Sequence, residues 1–135
     1  MRVLVTGGAG FVGKELVRAL RDDVDLLVVD TLRYGTPDWL QHGPEGFEFR
    51  HADIRDVDAI TDVVTGFGPD VVVHLAAIHY IPECDADPAN AVATNVAGTV
   101  NLLAACPPGT RFVFASSGAV YKPDEAPHRE FDSEI

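Results

Sequence analysis

The chain of 135 residues is poor in basic residues and in cysteine, and it contains no long apolar run. Ten Lys and Arg residues against 21 Asp and Glu residues give a net charge of −11, which argues against binding to nucleic-acid backbones or anionic membranes. No apolar run approaches the roughly 20 residues of a membrane-spanning helix, and the N-terminus lacks the layout of a signal peptide. We therefore expect a cytoplasmic protein with no nucleic-acid or membrane partner.

The two cysteines, Cys84 and Cys106, have neither metal-type spacing nor a partner motif. We expect both thiols to be reduced, and no metal site. The chain does contain 47% hydrophobic and only 23% charged residues, a composition typical of globular proteins rather than disordered ones. Its length is typical of one domain, so residues 1–135 are expected to form a single domain with a hydrophobic core.

Short apolar runs alternate with helical patterns along the chain. The expected strands cover residues 3–6, 25–30, 47–51, 70–75 and 111–116. The expected helices cover residues 11–20, 56–67 and 88–105, and a loop is expected over residues 76–86. This alternation predicts an α/β fold of the Rossmann type, with a doubly wound parallel sheet and helices on both faces. Right-handed crossovers give the strand order 3-2-1-4-5.

The first expected strand ends in a glycine-rich turn that fits the dinucleotide-binding fingerprint. Gly8, Gly10 and Gly13 have the spacing Gly-x-Gly-x-x-Gly, after a strand and at the start of a helix. One glycine permits the turn, the next lets a diphosphate approach the backbone, and the last lets the helix pack on the strand. Glycines also simply form turns, but this context favours a diphosphate site at the helix N-terminus.

Asp30 ends the second expected strand, 17 residues after Gly13. A carboxylate at this point accepts hydrogen bonds from an adenosine ribose diol and repels a 2′-phosphate, so it selects NAD over NADP. Arg33 is close enough in sequence to offset that repulsion, which leaves an NADP-dependent reductase as an alternative. An aspartate after a strand is also common in turns. We expect NAD as the cofactor, with NADP as the less favoured choice.

The segment Thr6-Gly7-x-x-Gly10-x-x-Gly13 resembles the extended short-chain dehydrogenase/reductase family, which includes the NAD-dependent epimerases and dehydratases. Later segments resemble that family in the same order: Asp53-Ile54, His74-Leu75-Ala76-Ala77, residues 95–102 and residues 116–121. The resemblance covers residues 1–135. It implies part of a nucleotide-sugar epimerase or related oxidoreductase, in which hydride moves to and from a sugar carbon.

The resemblance also assigns roles to individual residues. It implies that Ser117 is the catalytic serine, which would hydrogen-bond the reacting hydroxyl or carbonyl group. With the residues of the glycine loop, the expected cofactor-binding set is Gly7, Gly10, Phe11, Val12, Gly13, Asp30, Arg33, Asp53, Ile54, Leu75, Ala76, Ala77, His79 and Asn95.

Several of these segments also have a purely structural interpretation. His74 on an apolar strand is more typical of a hydrogen-bonded core residue than of a ligand. Asp53 could cap the following helix, and Asn95 could serve helix packing or a kink. Ser117 could be a turn residue at the end of a strand. His79 either faces the nicotinamide or substrate, or belongs to an ordinary lid loop.

The family's chemistry needs a Tyr-x-x-x-Lys pair, and the sequence has none. Its two lysines, Lys14 and Lys122, are preceded at the fourth position by Gly10 and Gly118. Tyr121 aligns with a non-catalytic tyrosine of the family. The family's remaining strands and its substrate lobe are missing too, so we expect the N-terminal part of a longer enzyme, inactive alone. The alternative is a non-catalytic NAD(H)-binding module, such as a sensor or regulatory pseudo-enzyme.

Two further expectations follow from the resemblance. Gly118 and Ala119 come directly after the catalytic serine, where the dehydratase branch has an acidic pair. This disfavours a 4,6-dehydratase and leaves epimerase, reductase or decarboxylase-like chemistry. Full-length relatives commonly dimerise through helices that include the one near residues 88–105, so a homodimer is expected for a full-length form and not for this chain alone.

Overall fold

The computed structural model describes residues 1–34, 46–121 and 129. Its strands are β1 (Arg2–Thr6), β2 (Asp25–Asp30), β3 (Glu48–His51), β4 (Val71–His74) and β5 (Arg111–Phe114). They form one parallel sheet in the order β3-β2-β1-β4-β5, which confirms the predicted strand order. The reversal of direction in that order lies between β1 and β4, the usual place for a ligand in such a sheet.

The helices lie between the strands, mostly where the sequence predicts them. They are α1 (Phe11–Leu20), α2 (Val57–Phe67), α3 (Ile81–Ala86), α4 (Pro88–Val92) and α5 (Thr99–Ala105). A π-helical segment, Ala93–Gly98, joins α4 to α5, so the helix expected over residues 88–105 is present with one irregular turn. The loop expected over residues 76–86 is wrong in its second half, because α3 forms there. None of the six residues of this helix is buried. A helix without a buried face needs no periodic apolar residues, so the sequence pattern did not predict it.

The sheet has a hydrophobic layer on each face. Alternate residues of a strand point to opposite faces, and the central strands β1 and β2 are buried on both. One layer, between the sheet and α1, consists of Val3, Val5, Val17, Leu26 and Val28. The other, between the sheet and the helices α2 and α5, includes Leu4, Leu27, Ile60, Val64, Val72 and Leu102. Helices therefore cover both faces, as the unbroken apolar runs of β1 and β2 predict.

Within the described residues, no helix is both long enough and apolar enough to cross a membrane. Both cysteines are free thiols that are partly buried. Burial raises the pKa of the Cys106 thiol, whose Sγ donates a hydrogen bond to the Leu102 carbonyl at 3.1 Å. No group of three or more His, Cys, Asp or Glu residues in the described ranges is arranged to hold a metal ion.

Candidate cofactor-binding site

A cleft of about 480 Å³ opens at the carboxyl ends of the strands. The residue directly after each strand lines it: Gly7, Thr31, Ala52, Leu75 and Ala115. All five strands run in parallel, so their carboxyl ends meet at one edge of the sheet, and the cleft includes the point where the strand order reverses. The sheet topology thus brings together segments that are up to about a hundred residues apart in the sequence.

The glycine loop forms one wall of this cleft, and two of its glycines are required by the packing. Gly7 has a φ of 72°, and a Cβ atom there would lie 2.6 Å from the backbone nitrogen of Ala76. A Cβ atom on Gly13 would lie 2.3 Å from the carbonyl oxygen of Gly7. Gly10 donates its N–H to the same oxygen at 3.1 Å, which closes the turn. Any side chain at Gly7 or Gly13 would push the loop away from β4 or from α1.

The N-terminus of α1 lies at the cleft. Gly10 is the N-cap and has no side chain to cap the helix, and the first turn holds no acidic residue. The N–H groups of Phe11, Val12 and Gly13 have no acceptor within the helix, and the helix dipole adds positive potential there. These three residues line the cleft, and the arrangement fits a bound diphosphate.

Asp30 stands beside this loop at the end of β2. Its Oδ2 accepts a hydrogen bond from the N–H of Ala9 at 3.0 Å, and its Oδ1 accepts one from the N–H of Leu32 at 2.8 Å. Each carboxylate oxygen retains a free lone pair for a further donor. The site therefore places an anchored carboxylate, suited to ribose hydroxyl groups, next to donors suited to a diphosphate. These donor and acceptor sets match the chemistry of a dinucleotide.

Arg33 and Tyr34 follow Asp30 and also line the cleft. Both are bound to Glu83 of α3: the Arg33 guanidinium donates to one carboxylate oxygen, and the Tyr34 hydroxyl donates to the other at 2.8 Å. Burial, and then the hydrogen bond to Glu83, raise the pKa of Tyr34. The loop after β2 is thereby tied to the segment after β4.

Asp53 and Ile54, which were predicted to contact the cofactor, line the cleft just after β3. The Asp53 carboxylate is bound by the Arg55 side chain, whose Nε lies 2.9 Å from Oδ2, and by the Arg55 N–H at 2.9 Å. These bonds hold the pKa of Asp53 below its usual value. The capping interpretation of Asp53 is wrong, because Asp56 caps α2 and accepts from the N–H of Ala59 at 3.0 Å.

The backbone after β4 forms another part of the wall, where Leu75, Ala76, Ala77 and His79 line the cleft. Asn95 does not line it, although its neighbour Thr94 does.

The Asn95 amide instead clamps the loop after β4. Its Oδ1 accepts from the N–H of Ile78 at 2.8 Å, and its Nδ2 donates to the Ile78 carbonyl at 2.8 Å. Asn95 lies in the π-helical segment, and from there it fixes the loop after β4 that lines the cleft.

His74 is a core residue with both ring nitrogens hydrogen-bonded. Its Nδ1 lies 2.6 Å from the Thr6 Oγ1, and its Nε2 lies 2.9 Å from the Thr99 Oγ1. The Thr99 hydroxyl donates to the Asn95 carbonyl at 2.8 Å, so it accepts from an Nε2–H, and Nδ1 accepts from the Thr6 hydroxyl. Burial lowers the pKa of His74, consistent with this neutral tautomer. This series of hydrogen bonds continues to the cleft wall, where the Ala76 N–H donates to the Thr6 Oγ1 at 3.4 Å.

The segment after β5 reaches the cleft through Ser116, which lines it, whereas Ser117 does not. Ser117 is exposed, and its carbonyl accepts from the N–H of Val120 at 3.2 Å in the short 3₁₀ turn Gly118–Val120. Lys122 lies outside the described residues.

The model of the NAD dependent epimerase/dehydratase family matches residues 3–135. The chain belongs to this family. It is 38% identical over 108 residues to a dTDP-glucose 4,6-dehydratase of Escherichia coli, a match that covers 76% of this chain and 30% of that protein. It is 42% identical over 128 residues to a UDP-glucose 4-epimerase of Mycolicibacterium smegmatis, which covers 90% of this chain and 40% of that protein.

A solved structure shows the same fold. The UDP-glucose 4-epimerase of Thermus thermophilus, in complex with NAD, superimposes with a TM-score of 0.84 at 33% identity, over 100% of this chain and 44% of the epimerase chain. The three matches cover 30%, 40% and 44% of the length of these family members, so the chain spans less than half of each.

Some residues at the site were not among those predicted from the sequence: Tyr34, Arg55, Ile78, Glu83, Thr94 and Ser116. The Asp-x-Arg spacing of residues 53–55 is a local signal from which Arg55 could have been found. Glu83 offered no such signal, because its contact with Arg33 spans 50 residues and depends on α3.

Proposed function

We propose that this member of the NAD dependent epimerase/dehydratase family is the NAD-binding part of a nucleotide-sugar epimerase or related oxidoreductase. The observation that carries the proposal is the hydrogen bond from the Ala9 N–H to Asp30, which sets a ribose acceptor beside the uncapped N-terminus of α1. The NAD in complex with the Thermus thermophilus epimerase supports the same cofactor here. Bound NAD would supply a hydride acceptor and, when reduced, a hydride donor.

We propose NAD rather than NADP. The Asp30 carboxylate would repel a 2′-phosphate. Arg33 is the residue that suggested NADP, and its guanidinium is bound to Glu83. The NADP-dependent reductase therefore remains the less favoured alternative.

The chemical roles of this chain's own residues are to bind and orient. The loop after β1 would hold the diphosphate, Asp30 the adenosine ribose, and the Asp53-Ile54 segment the adenine. Ser117 is proposed to hydrogen-bond the reacting hydroxyl or carbonyl group. Hydride transfer at a sugar carbon also requires a group that moves a proton, and the sequence holds no Tyr-x-x-x-Lys pair for that task.

Epimerase chemistry is proposed over 4,6-dehydratase chemistry. The reason is the pair of residues after Ser117, Gly118 and Ala119, where the dehydratase branch has acidic side chains. Overall identity does not separate the two classes, because relatives of both kinds match at 38% and 42%. The nucleotide-sugar names of those relatives support a nucleotide-sugar substrate for the whole protein.

Exposed apolar surface supports a longer, homodimeric protein. On β5, Val113 and Phe114 are 45% and 56% exposed. Along one side of the long helical segment, four apolar residues at helical spacing are also exposed: Val92, Val96, Val100 and Leu103. We propose that further parts of the protein cover β5 and that the helical stripe joins two copies. The lack of a nucleic-acid partner remains a prediction from the acidic composition. The cytoplasmic location remains a prediction from the short apolar runs and the layout of the N-terminus.

The reading frame after Ile135 tests the proposal against its competitor, a non-catalytic NAD(H)-binding module. A frame that continues into a Tyr-x-x-x-Lys segment supports the enzyme. A stop codon directly after Ile135 contradicts it and favours the module, which would bind NADH without turnover.

A further inference from the structure

Glu83 joins two consecutive residues of a distant loop through one carboxylate. Its two oxygens accept from Arg33 and from Tyr34, which precede it by 50 and 49 residues. The Glu83 side chain is 22% exposed and that of Arg33 is 45% exposed. Arg33 and Tyr34 line the cleft, and Glu83, which binds both, is not among the residues that line it. Glu83 therefore holds the Arg33 guanidinium in place at the cleft and neutralises its charge.

Both arginines that line the cleft are bound to carboxylates in this way. Arg55 is bound to Asp53, and Arg33 is bound to Glu83. Recognition of a 2′-phosphate near the end of β2 needs a free cation, because an unpaired phosphate would face the carboxylate of Asp30. Arg–phosphate pairs are strong, often bidentate hydrogen bonds, so a released Arg33 would be a suitable partner.

We infer that Glu83 is a specificity-determining residue of the cofactor site, which excludes NADP by occupying Arg33. The inference rests on the proposed function and adds a second discriminator to Asp30. Asp30 acts by repulsion at the ribose. Glu83 acts by competition, because NADP would have to displace it from the guanidinium before the 2′-phosphate could be neutralised.

The test replaces the charge and keeps the shape: Glu83→Gln, in the protein at the length that its gene encodes. Dissociation constants for NADH and NADPH are measured by calorimetry at one fixed ionic strength. We expect the ratio of the NADPH constant to the NADH constant to fall about tenfold, a change that corresponds to about 1.4 kcal/mol. The matched control is Asp85→Asn, which removes the same charge from an exposed position of α3 and should leave the ratio unchanged.

A double variant separates the release of Arg33 from the simple loss of a negative charge. In Arg33→Gln/Glu83→Gln the gain for NADPH should disappear, because the cation that receives the phosphate is gone. If the gain persists in the double variant, charge repulsion explains it, and the competition mechanism is overturned. Tyr34→Phe removes only the hydrogen bond from the Tyr34 hydroxyl to Glu83. Its ratio of the NADPH to the NADH dissociation constant should therefore remain that of the wild type.

Other outcomes also decide the question. If Glu83→Gln weakens both nucleotides equally, Glu83 only supports the loop and the inference is wrong. If the wild type binds neither nucleotide, the proposed function fails and the inference fails with it. Glu83→Ala provides a second single variant should Glu83→Gln not fold, with the same expected direction, since α3 buries none of its residues.

Discussion

The Oγ1 of Thr6 and the Nδ1 of His74 lie 2.6 Å apart, on paired positions of β1 and β4. This contact is one step in a hydrogen-bonded chain from the Ala76 N–H at the cleft wall to the Asn95 carbonyl in the π-helical segment. Every donor and acceptor of the His74 ring is used, so the ring connects the strand ends beneath the cofactor site to the helix behind them.

Protonation of His74 should lower the stability of the fold. Burial lowers its pKa below the ordinary value of 6.5, so the unfolded chain takes up the proton at a higher pH than the folded chain. The stabilising contribution is therefore complete above pH 6.5, declines as the pH falls below it, and levels off below the lowered pKa. Urea unfolding across this pH range should show that the free energies of unfolding of the wild type and of His74→Gln differ by an amount that depends on pH. A constant difference would contradict the assignment.

Thr99→Val should destabilise the protein by about 1–3 kcal/mol, because the buried Nε2–H of His74 loses its acceptor. The free energy of unfolding measures this directly. Thr61→Val, on α2 and outside the His74 network, is the matched control and should change stability by less than about 0.5 kcal/mol. Equal effects of the two changes would show that the His74 network contributes nothing specific.

Two glycine substitutions should change the stability of the fold in opposite directions. Gly13→Ala places a Cβ atom 2.3 Å from the Gly7 carbonyl oxygen, so it should lower stability and weaken NADH binding. Gly66→Ala lies inside α2 with open space around the added atom, and it should stabilise by about 0.5–1 kcal/mol. Thermal unfolding of both variants tests the pair. A tolerated Gly13→Ala would mean that α1 does not pack against the loop as described.

Local features of the sequence were enough to predict the first βαβ unit. Strands buried on both faces appear as unbroken apolar runs, and the glycine spacing needs only seven residues, from Gly7 to Gly13. The role of His74 as a hydrogen-bonded core residue was likewise favoured by its place on an apolar strand.

The parts that the sequence did not reveal depend on packing between distant segments. Asn95 clamps Ile78 rather than lining the cleft, because the π-helical segment directs its amide toward the loop after β4. The pairing of Glu83 with Arg33 needs α3, which has no buried face and hence no periodic pattern. Asp53 and Asp56 are three residues apart, and only the observed helix start shows which one caps α2.

Asp30→Asn should weaken NADH binding by about 10- to 100-fold, the loss of charge-assisted hydrogen bonds worth about 1.5–3 kcal/mol. The Asn side chain cannot accept from Ala9 and Leu32 with both of its terminal atoms, so the loop also loses one anchor. Fluorescence titration with NADH measures the change. Asp62→Asn, an exposed residue of α2, removes the same charge and should leave the affinity unchanged.

Calorimetric titration of the folded protein with NADH tests the central claim most directly. The account predicts saturable binding of one NADH per chain, with a weaker affinity for NADPH. A protein that unfolds cooperatively, and is thus folded, yet shows no binding of NADH would contradict it.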